Sequence, residues 1–320
     1  MSRSIAFVHL GLPKAASTWL QTTAFTHPDI RLVPLHQFSP EFWRFMERAE
    51  HLFSPDDFRP LFRDLVEATP PGGLVGLSYE RLSGGLLHSR DAACLARRVA
   101  LCLGEIKVVL LLRAQPAMLA SIYDQYVKNG GTLGFRRFLQ DRLIAGPAVV
   151  EKLAYHRLVE MYFEIFGRDR VLVGFAEELR RDEVGFLDRL WRFLGLGGFP
   201  GWPGGQAPAG RANSSLTPPC RIVKRCLNQF FLQPFNPAPW GPLPFAWHQF
   251  MRFRLLENGL DPWLRRLRPS WPSPLDTLSP AERAQLRAGF ARSNEILGEL
   301  LGRDLGELGF PLPGQPGIPA

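Results

Sequence analysis

IAFVHLGLPKAASTWLQ, residues Ile5 to Gln21, is the stretch from which the rest of the chain can be read. Ile5 to Val8 is a short apolar run, the pattern of a strand buried on both faces. Gly11, Leu12 and Pro13 make a turn. Lys14 follows, then Ala15 and Ala16, then the hydroxyls of Ser17 and Thr18, and an amphipathic helical pattern opens at Trp19-Leu20. A strand that passes through a tight loop into a helix forms a cradle for a phosphate. Backbone N–H groups at the helix start point at an anion, and the helix dipole favours negative charge there. Lys14 adds a point charge, and the two hydroxyls add donors. The competing reading of the same residues is an ordinary strand–helix turn that binds nothing.

The nucleoside triphosphate loop, G-x-x-x-x-G-K-[ST], does not fit. Gly11 lies only three residues before Lys14, and Pro13 stands directly before the lysine. A second stretch separates the chain further from kinases and GTPases. Lys107 to Leu112, KVVLLL, is the plainest strand pattern in the sequence, and it ends at Arg113. A phosphoryl-transfer enzyme of that class places an acidic magnesium ligand near there. Here Pro116 can open a helix that carries Ser121 and Tyr123, with Gly130-Gly131 closing the segment. An arginine at the sheet edge with a hydroxyl beside it suits a second phosphate group.

Pro13, Lys14, Ser17, Thr18 and Leu20, with Trp19 between, resemble the 5′-phosphosulfate loop of sulfotransferases, roughly P-K-[ST]-G-[ST]-T-x-L. Ala15 stands where that pattern has a hydroxyl and Ala16 where it has glycine, so Ala16 is expected at an ordinary helical φ. Arg113, Pro116, Ser121 and Tyr123 are similar to the family's R-x-x-P…S-x-Y…G segment, which holds a 3′-phosphate. The resemblance implies a bacterial-type enzyme that takes 3′-phosphoadenosine 5′-phosphosulfate (PAPS) as donor and leaves adenosine 3′,5′-bisphosphate (PAP), without a metal. It implies a donor site made by Pro13, Lys14, Ala15, Ala16, Ser17, Thr18, Trp19, Arg113 and Ser121. Arg211, in the late segment Arg211-Ala212-Asn213-Ser214-Ser215, joins them as a second 3′-phosphate ligand. Glu177-Glu178-Leu179, the later Phe193-Leu194-Gly195 and the terminal SNEILGELLGRDL also resemble the family and read as scaffold.

In-line sulfuryl transfer to an acceptor hydroxyl or amine would leave Lys14 to stabilise the departing phosphate. The acceptor must also lose a proton to a base. Glu80, just past the strand Leu74–Ser78, is the expected base, with His36 as the alternative. His9 is expected to be a satisfied, buried or loop-orienting imidazole. Two other readings stay open: an ATP- and magnesium-dependent small-molecule kinase, and a non-catalytic nucleotide- or anion-binding protein on the same fold.

The expected fold is a P-loop-like, three-layer α/β/α domain with a central parallel sheet and a helical C-terminal region. The 320 residues, 46% hydrophobic, suit one domain. Residues 1–200 would form the nucleotide-binding core and 201–320 a loop-rich and helical part that serves as acceptor lid. Strands are expected at 5–8, 74–78, 107–112 and 171–175, with a loop across 22–35. Helices are expected after Ser39, after Ser54, over 91–103, 135–144, 149–166 and 184–194, and after the capping box Ser279–Glu282. In that last helix Leu286, Phe290, Ile296 and Leu300 should face inward.

No run of eighteen apolar residues and no signal-peptide pattern is present, so the cytoplasm is the expected compartment. Four cysteines without C-x-x-C spacing read as packed, reduced thiols. The net charge of +8 suits an anionic ligand or partner, and the scattered arginines do not make a nucleic-acid stripe. The expected acceptor is a small molecule, a carbohydrate or a lipid-linked sugar. Residues 218–274 are rich in proline and aromatics, including Trp240, Trp247, Trp263 and Trp271. Core packing is the simplest role for them; an acceptor lid, a peripheral membrane contact and a subunit contact are the others.

Overall fold

Apolar runs too continuous for a sheet with one wet face become strands of a single parallel sheet. The computed structural model describes residues 4–12, 14–33, 40–84, 91–141, 151–202, 215–233, 235–241, 258–268 and 270–314. Its strands are β1 (Ile5–His9), β2 (Ile30–Leu32), β3 (Leu74–Ser78), β4 (Lys107–Leu112) and β5 (Val171–Phe175). All pairings are parallel, in the order β2-β3-β1-β4-β5. His9 lies opposite Ser78 of β3 and Val109 of β4. Pairing with β4 runs on past β1, through Leu10 N–H to Val109 O (2.9 Å) and Leu12 N–H to Leu111 O (3.2 Å). The chain is therefore held against β4 as far as Leu12. β2 falls inside the expected 22–35 loop. It is a three-residue edge strand with one buried residue, Ile30, which leaves no periodicity to read.

Twelve helices follow from the described residues: α1 (Ser17–Thr22), α2 (Pro40–Glu47), α3 (Pro55–Glu67), α4 (Ala92–Leu103), α5 (Gln115–Lys128), α6 (Phe135–Gln140), α7 (Tyr155–Phe166), α8 (Ala176–Arg181), α9 (Glu183–Leu194), α10 (Pro218–Asn228), α11 (Asp261–Leu267) and α12 (Pro280–Leu301). With the sheet they make the expected three-layer α/β/α architecture. Side-chain caps start several of them. Asp91 accepts from Ala93 N–H (2.8 Å) and Asp182 from Gly185 N–H (2.8 Å). Ser279 and Glu282 form their capping box at α12 (2.7 and 3.3 Å). Of the helix expected over 149–166, residues 149–150 lie outside the described residues and 151–152 are helical; the chain then breaks at Leu153-Ala154, where Ala154 has ψ 76°, and α7 runs from Tyr155.

The chain divides into two compact units. One comprises Met1–Ala114, Ala154–Ala212 and Ile296–Gly309 and contains the whole sheet; the other comprises Gln115–Leu153, Asn213–Glu295 and Phe310–Ala320. Phe7, Val8, Leu77 and Val108 to Leu112 are fully enclosed in the first, as are Phe42 and Phe45 of α2. In the second, the rings of Tyr123, Tyr126, Phe135 and Phe138 stack together. Tyr123 OH donates to Leu133 O (3.1 Å), and Asn228 Nδ2 donates to Val127 O and Gly131 O (both 2.8 Å). Gly130 closes the turn after α5 at φ 103°, a conformation that favours glycine. On α12, Phe290 and Leu297 are buried, while Leu286, Ile296 and Leu300 are only half covered. No helix among the described residues is long and apolar enough to cross a membrane.

Candidate active site

In an open parallel sheet the ligand crevice lies beyond the carboxyl ends of the strands, where the winding direction reverses. Here that point falls between β1 and β4. The loop after β1 carries Lys14, β4 is followed by Arg113, and β3, on the other side of β1, is followed by Tyr79-Glu80. Three side chains separated by up to 99 positions in the sequence are thus delivered to one edge of the sheet.

The loop itself is unusual in its backbone. Lys14 sits at φ 71° and Ala16 at φ 65°, ψ 21°, both in the left-handed region. The ordinary helical φ expected of Ala16 is therefore incorrect: the alanine adopts the conformation a glycine would. Left-handed residues at alternate positions turn successive N–H groups toward a common side, the arrangement of an anion-binding nest. Ala15 N–H donates back to Leu12 O (3.1 Å), which tightens the turn. Ala15 and Ser17 are buried, Ala16 and Trp19 are half-buried and Thr18 is exposed. Ser17 Oγ is enclosed without a well-formed hydrogen bond.

Glu80 opens a short turn, Glu80–Ser83, that is tied to the same loop. Ser83 Oγ lies 2.7 Å from Glu80 O and 3.3 Å from Gly11 O. Burial pushes the Glu80 carboxyl above its ordinary pKa, while the Ser17 hydroxyl, Lys14 and Arg81 pull it back. The Ser17 hydroxyl is close enough to act on that carboxylate, although its Oγ makes no hydrogen bond in good geometry. The Arg81 guanidinium lies 4.6 Å above the Trp43 ring.

Arg113 joins the loop from the other side. Its Nη1 donates to Lys14 O (3.2 Å), and its own carbonyl accepts from Tyr155 OH (2.9 Å). Glu177, at the start of α8 beyond β5, accepts from Ala114 N–H (3.2 Å). Burial raises the Glu177 pKa, against its own backbone N–H, Ala114 N–H and the Arg113 charge. Read as scaffold from sequence, Glu177 is thus part of the charge balance around Arg113. The available signal was an acidic residue just past a strand that neighbours β4.

His9 anchors the floor. It is fully buried, its Nδ1 is 2.8 Å from Ser78 Oγ, and Gln21 Nε2 donates to the same oxygen (3.0 Å). These contacts lock the ends of β1 and β3 to α1. The ring is thus buried, one of the roles expected of it, but it is not satisfied, because His9 Nε2 has no hydrogen-bond partner. That nitrogen faces Gly11, where any Cβ would press into the imidazole. Burial lowers the His9 pKa to about 3, so the ring is neutral.

Ser121 belongs to the second unit, buried on α5. Tyr123, which accompanies it in the motif, spends its hydroxyl on Leu133 O. Pro13, His36 and Arg211 lie outside the described residues. Among the described residues no three His, Cys, Asp or Glu side chains converge to hold a metal.

No family model matches the sequence, and no curated protein sequence does. Solved structures do. A sulfotransferase from Alicyclobacillus acidocaldarius superposes with a TM-score of 0.57 at 18% identity, covering 95% of this chain and 98% of that one. A sulfotransferase domain from the curacin biosynthetic pathway gives 0.40 at 14% identity, and a mouse sulfotransferase complexed with PAP gives 0.36 at 16%; each covers 62% of this chain, with 76% and 60% of its own length matched. Nearly end-to-end coverage of the bacterial structure, with the sheet order and loop geometry above, shows that the chain has the sulfotransferase fold.

Proposed function

We propose that this protein is a sulfotransferase that moves a sulfuryl group from PAPS to an acceptor hydroxyl or amine. The observation that carries the reading is the meeting of Lys14, Ser17 and Glu80 at the end of β1, with Arg113 bonded to the same loop from β4. The left-handed turns at Lys14 and Ala16 and the unpartnered Ser17 Oγ suit a phosphosulfate group, which offers acceptors to each. When bound, the donor supplies a sulfuryl group whose S–O bond to phosphate breaks as the acceptor oxygen or nitrogen bonds to sulfur. Lys14 and the loop amides stabilise the charge left on the bridging oxygen. Glu80 takes the acceptor proton, and its raised pKa makes it a stronger base than an exposed carboxylate. Arg113 is assigned to the 3′-phosphate. The enzyme would work in the cytoplasm, where its four free cysteines stay reduced.

The test incubates ³⁵S-labelled PAPS with a panel of phenols, sugars and amines and follows labelled product together with released PAP. The reading expects transfer by the wild type and its loss in Glu80→Gln with donor binding retained. Phosphoryl transfer from ATP with magnesium, and none from PAPS, would overturn it.

A further inference from the structure

A helix on a protein surface normally turns its apolar face inward, and α10 does the reverse. Arg221, Lys224 and Asn228 are buried. Arg221 Nε donates to Asp124 Oδ1 (2.7 Å) and its Nη2 to Leu216 O (2.8 Å). Asn228 holds two carbonyls of the α5 turn. The opposite face shows Ile222 (57% exposed), Val223 and Cys226 to the outside. Ile222 and Cys226 are one turn apart, and Phe230 continues the same row just beyond the helix. Trp240 is 81% exposed and packs edge-on against Phe230, with ring centroids 6.3 Å apart. Its backbone is fixed to the end of the helix through Gln229 O (2.9 Å), and Leu232 beside it is 66% exposed. α11, tied to the start of α10 through Asp261 and Thr217 N–H (2.6 Å), adds exposed Trp263 and Leu267. Seven of the ten most exposed large apolar side chains among the described residues fall between Ile222 and Leu267. Core packing, the simplest role for the tryptophans in this region, does not hold for Trp240 or Trp263.

Charge selects the occupant. Among the described residues of 215–270, Arg221 and Lys224 are buried, Arg225 and Arg265 are half-exposed and Arg266 and Arg268 are exposed, while the one carboxylate, Asp261, is buried against Arg265. Arg266 and Arg268 are exposed next to Leu267. Amphipathic aromatics and aliphatics facing outward, among arginines and almost no carboxylates, match a bilayer interface with anionic headgroups. We infer that the outward face of α10, with Phe230, Leu232 and Trp240, docks this protein peripherally on an anionic lipid surface, independently of the reaction it catalyses.

The probe is co-sedimentation with vesicles of equimolar phosphatidylcholine and phosphatidylglycerol, set against phosphatidylcholine alone. Wild type is expected to pellet with the anionic vesicles, less as salt rises. Ile222→Ser/Trp240→Ser and Arg266→Glu/Arg268→Glu should each weaken binding roughly tenfold or more while leaving the circular dichroism spectrum unchanged. Because these positions are exposed, folding should survive the changes. Wild type remaining in the supernatant, or the double serine variant binding as well as wild type, would overturn the inference. So would light scattering that shows a dimer which Trp240→Ser dissociates, since the face would then belong to a second copy.

Discussion

Ala16 holds a left-handed conformation that costs a residue with a Cβ on the order of 1 kcal/mol or more. Glycine there would relieve that strain but lose chain entropy on folding. Ala16→Gly is therefore expected to be neutral or stabilising by up to about 1 kcal/mol, whereas Ala96→Gly, buried inside α4, should cost at least about 1 kcal/mol. Equal losses in chemical denaturation would show that Ala16 is unstrained. Glu80 carries a related cost. Its folded pKa lies above the ordinary carboxylate value, so the fold favours its protonated form. That contribution is full below the unfolded pKa and is lost as pH rises through the folded one. Glu80→Gln should thus melt higher than wild type at neutral pH, and the gap should close below about pH 4. A variant that melts lower at neutral pH would mean that the Lys14 and Arg81 attractions outweigh burial. His9 works in the opposite direction. Its folded pKa of about 3 lies below the unfolded 6.5, so its stabilisation is present above pH 6.5 and is lost as pH falls toward 3. The loss is about 5 kcal/mol by linkage. Urea midpoints of His9→Asn should fall less steeply than those of wild type across that interval, and parallel curves would contradict the assignment.

Among the elements, those that place the proposed catalytic groups were legible and those that shape the surroundings were less so. β1, β3, β4 and β5 announce themselves because each is an apolar run bounded by turn residues. β2 does not, since Arg31 interrupts its three residues at the sheet edge. The position of Glu80 could be read because a carboxylate followed a strand; its coupling to Ser17 could not, because it depends on how the Glu80–Ser83 turn folds back on Gly11. α2 shows a dependence that no local pattern contains. Arg98, buried on α4, caps its end by donating to Phe45 O (2.8 Å) and Arg48 O (2.5 Å), and also meets Glu50 (2.9 Å). Removing it leaves buried helix-end carbonyls without a donor. Arg98→Met should cost about 3 kcal/mol in equilibrium denaturation, and a cost below about 1 kcal/mol would mean that water replaces the guanidinium.

At the scale of the whole molecule, the two compact units differ in how far sequence alone describes them. The sheet-bearing unit follows one rule, with apolar strands in the interior and polar groups at their carboxyl ends, and it carries the loop, the proposed base Glu80 and Arg113. The other unit inverts the rule on α10, where ion pairs and amide bonds are buried and aliphatics are exposed, so hydrophobic patterning misjudges which face is inside. On the proposed function the first unit holds the donor site, and Lys14, the left-handed turns and Arg113 would bind a nucleotide bearing both a 5′- and a 3′-phosphate. The most direct measurement is titration calorimetry of adenosine 3′,5′-bisphosphate in the absence of divalent metal, compared with ATP and magnesium, on wild type and Lys14→Ala. Saturable bisphosphate binding is expected, weakened roughly tenfold or more by Lys14→Ala, with ATP clearly weaker. Heats showing no bisphosphate binding, or a clear preference for ATP with magnesium, would contradict it.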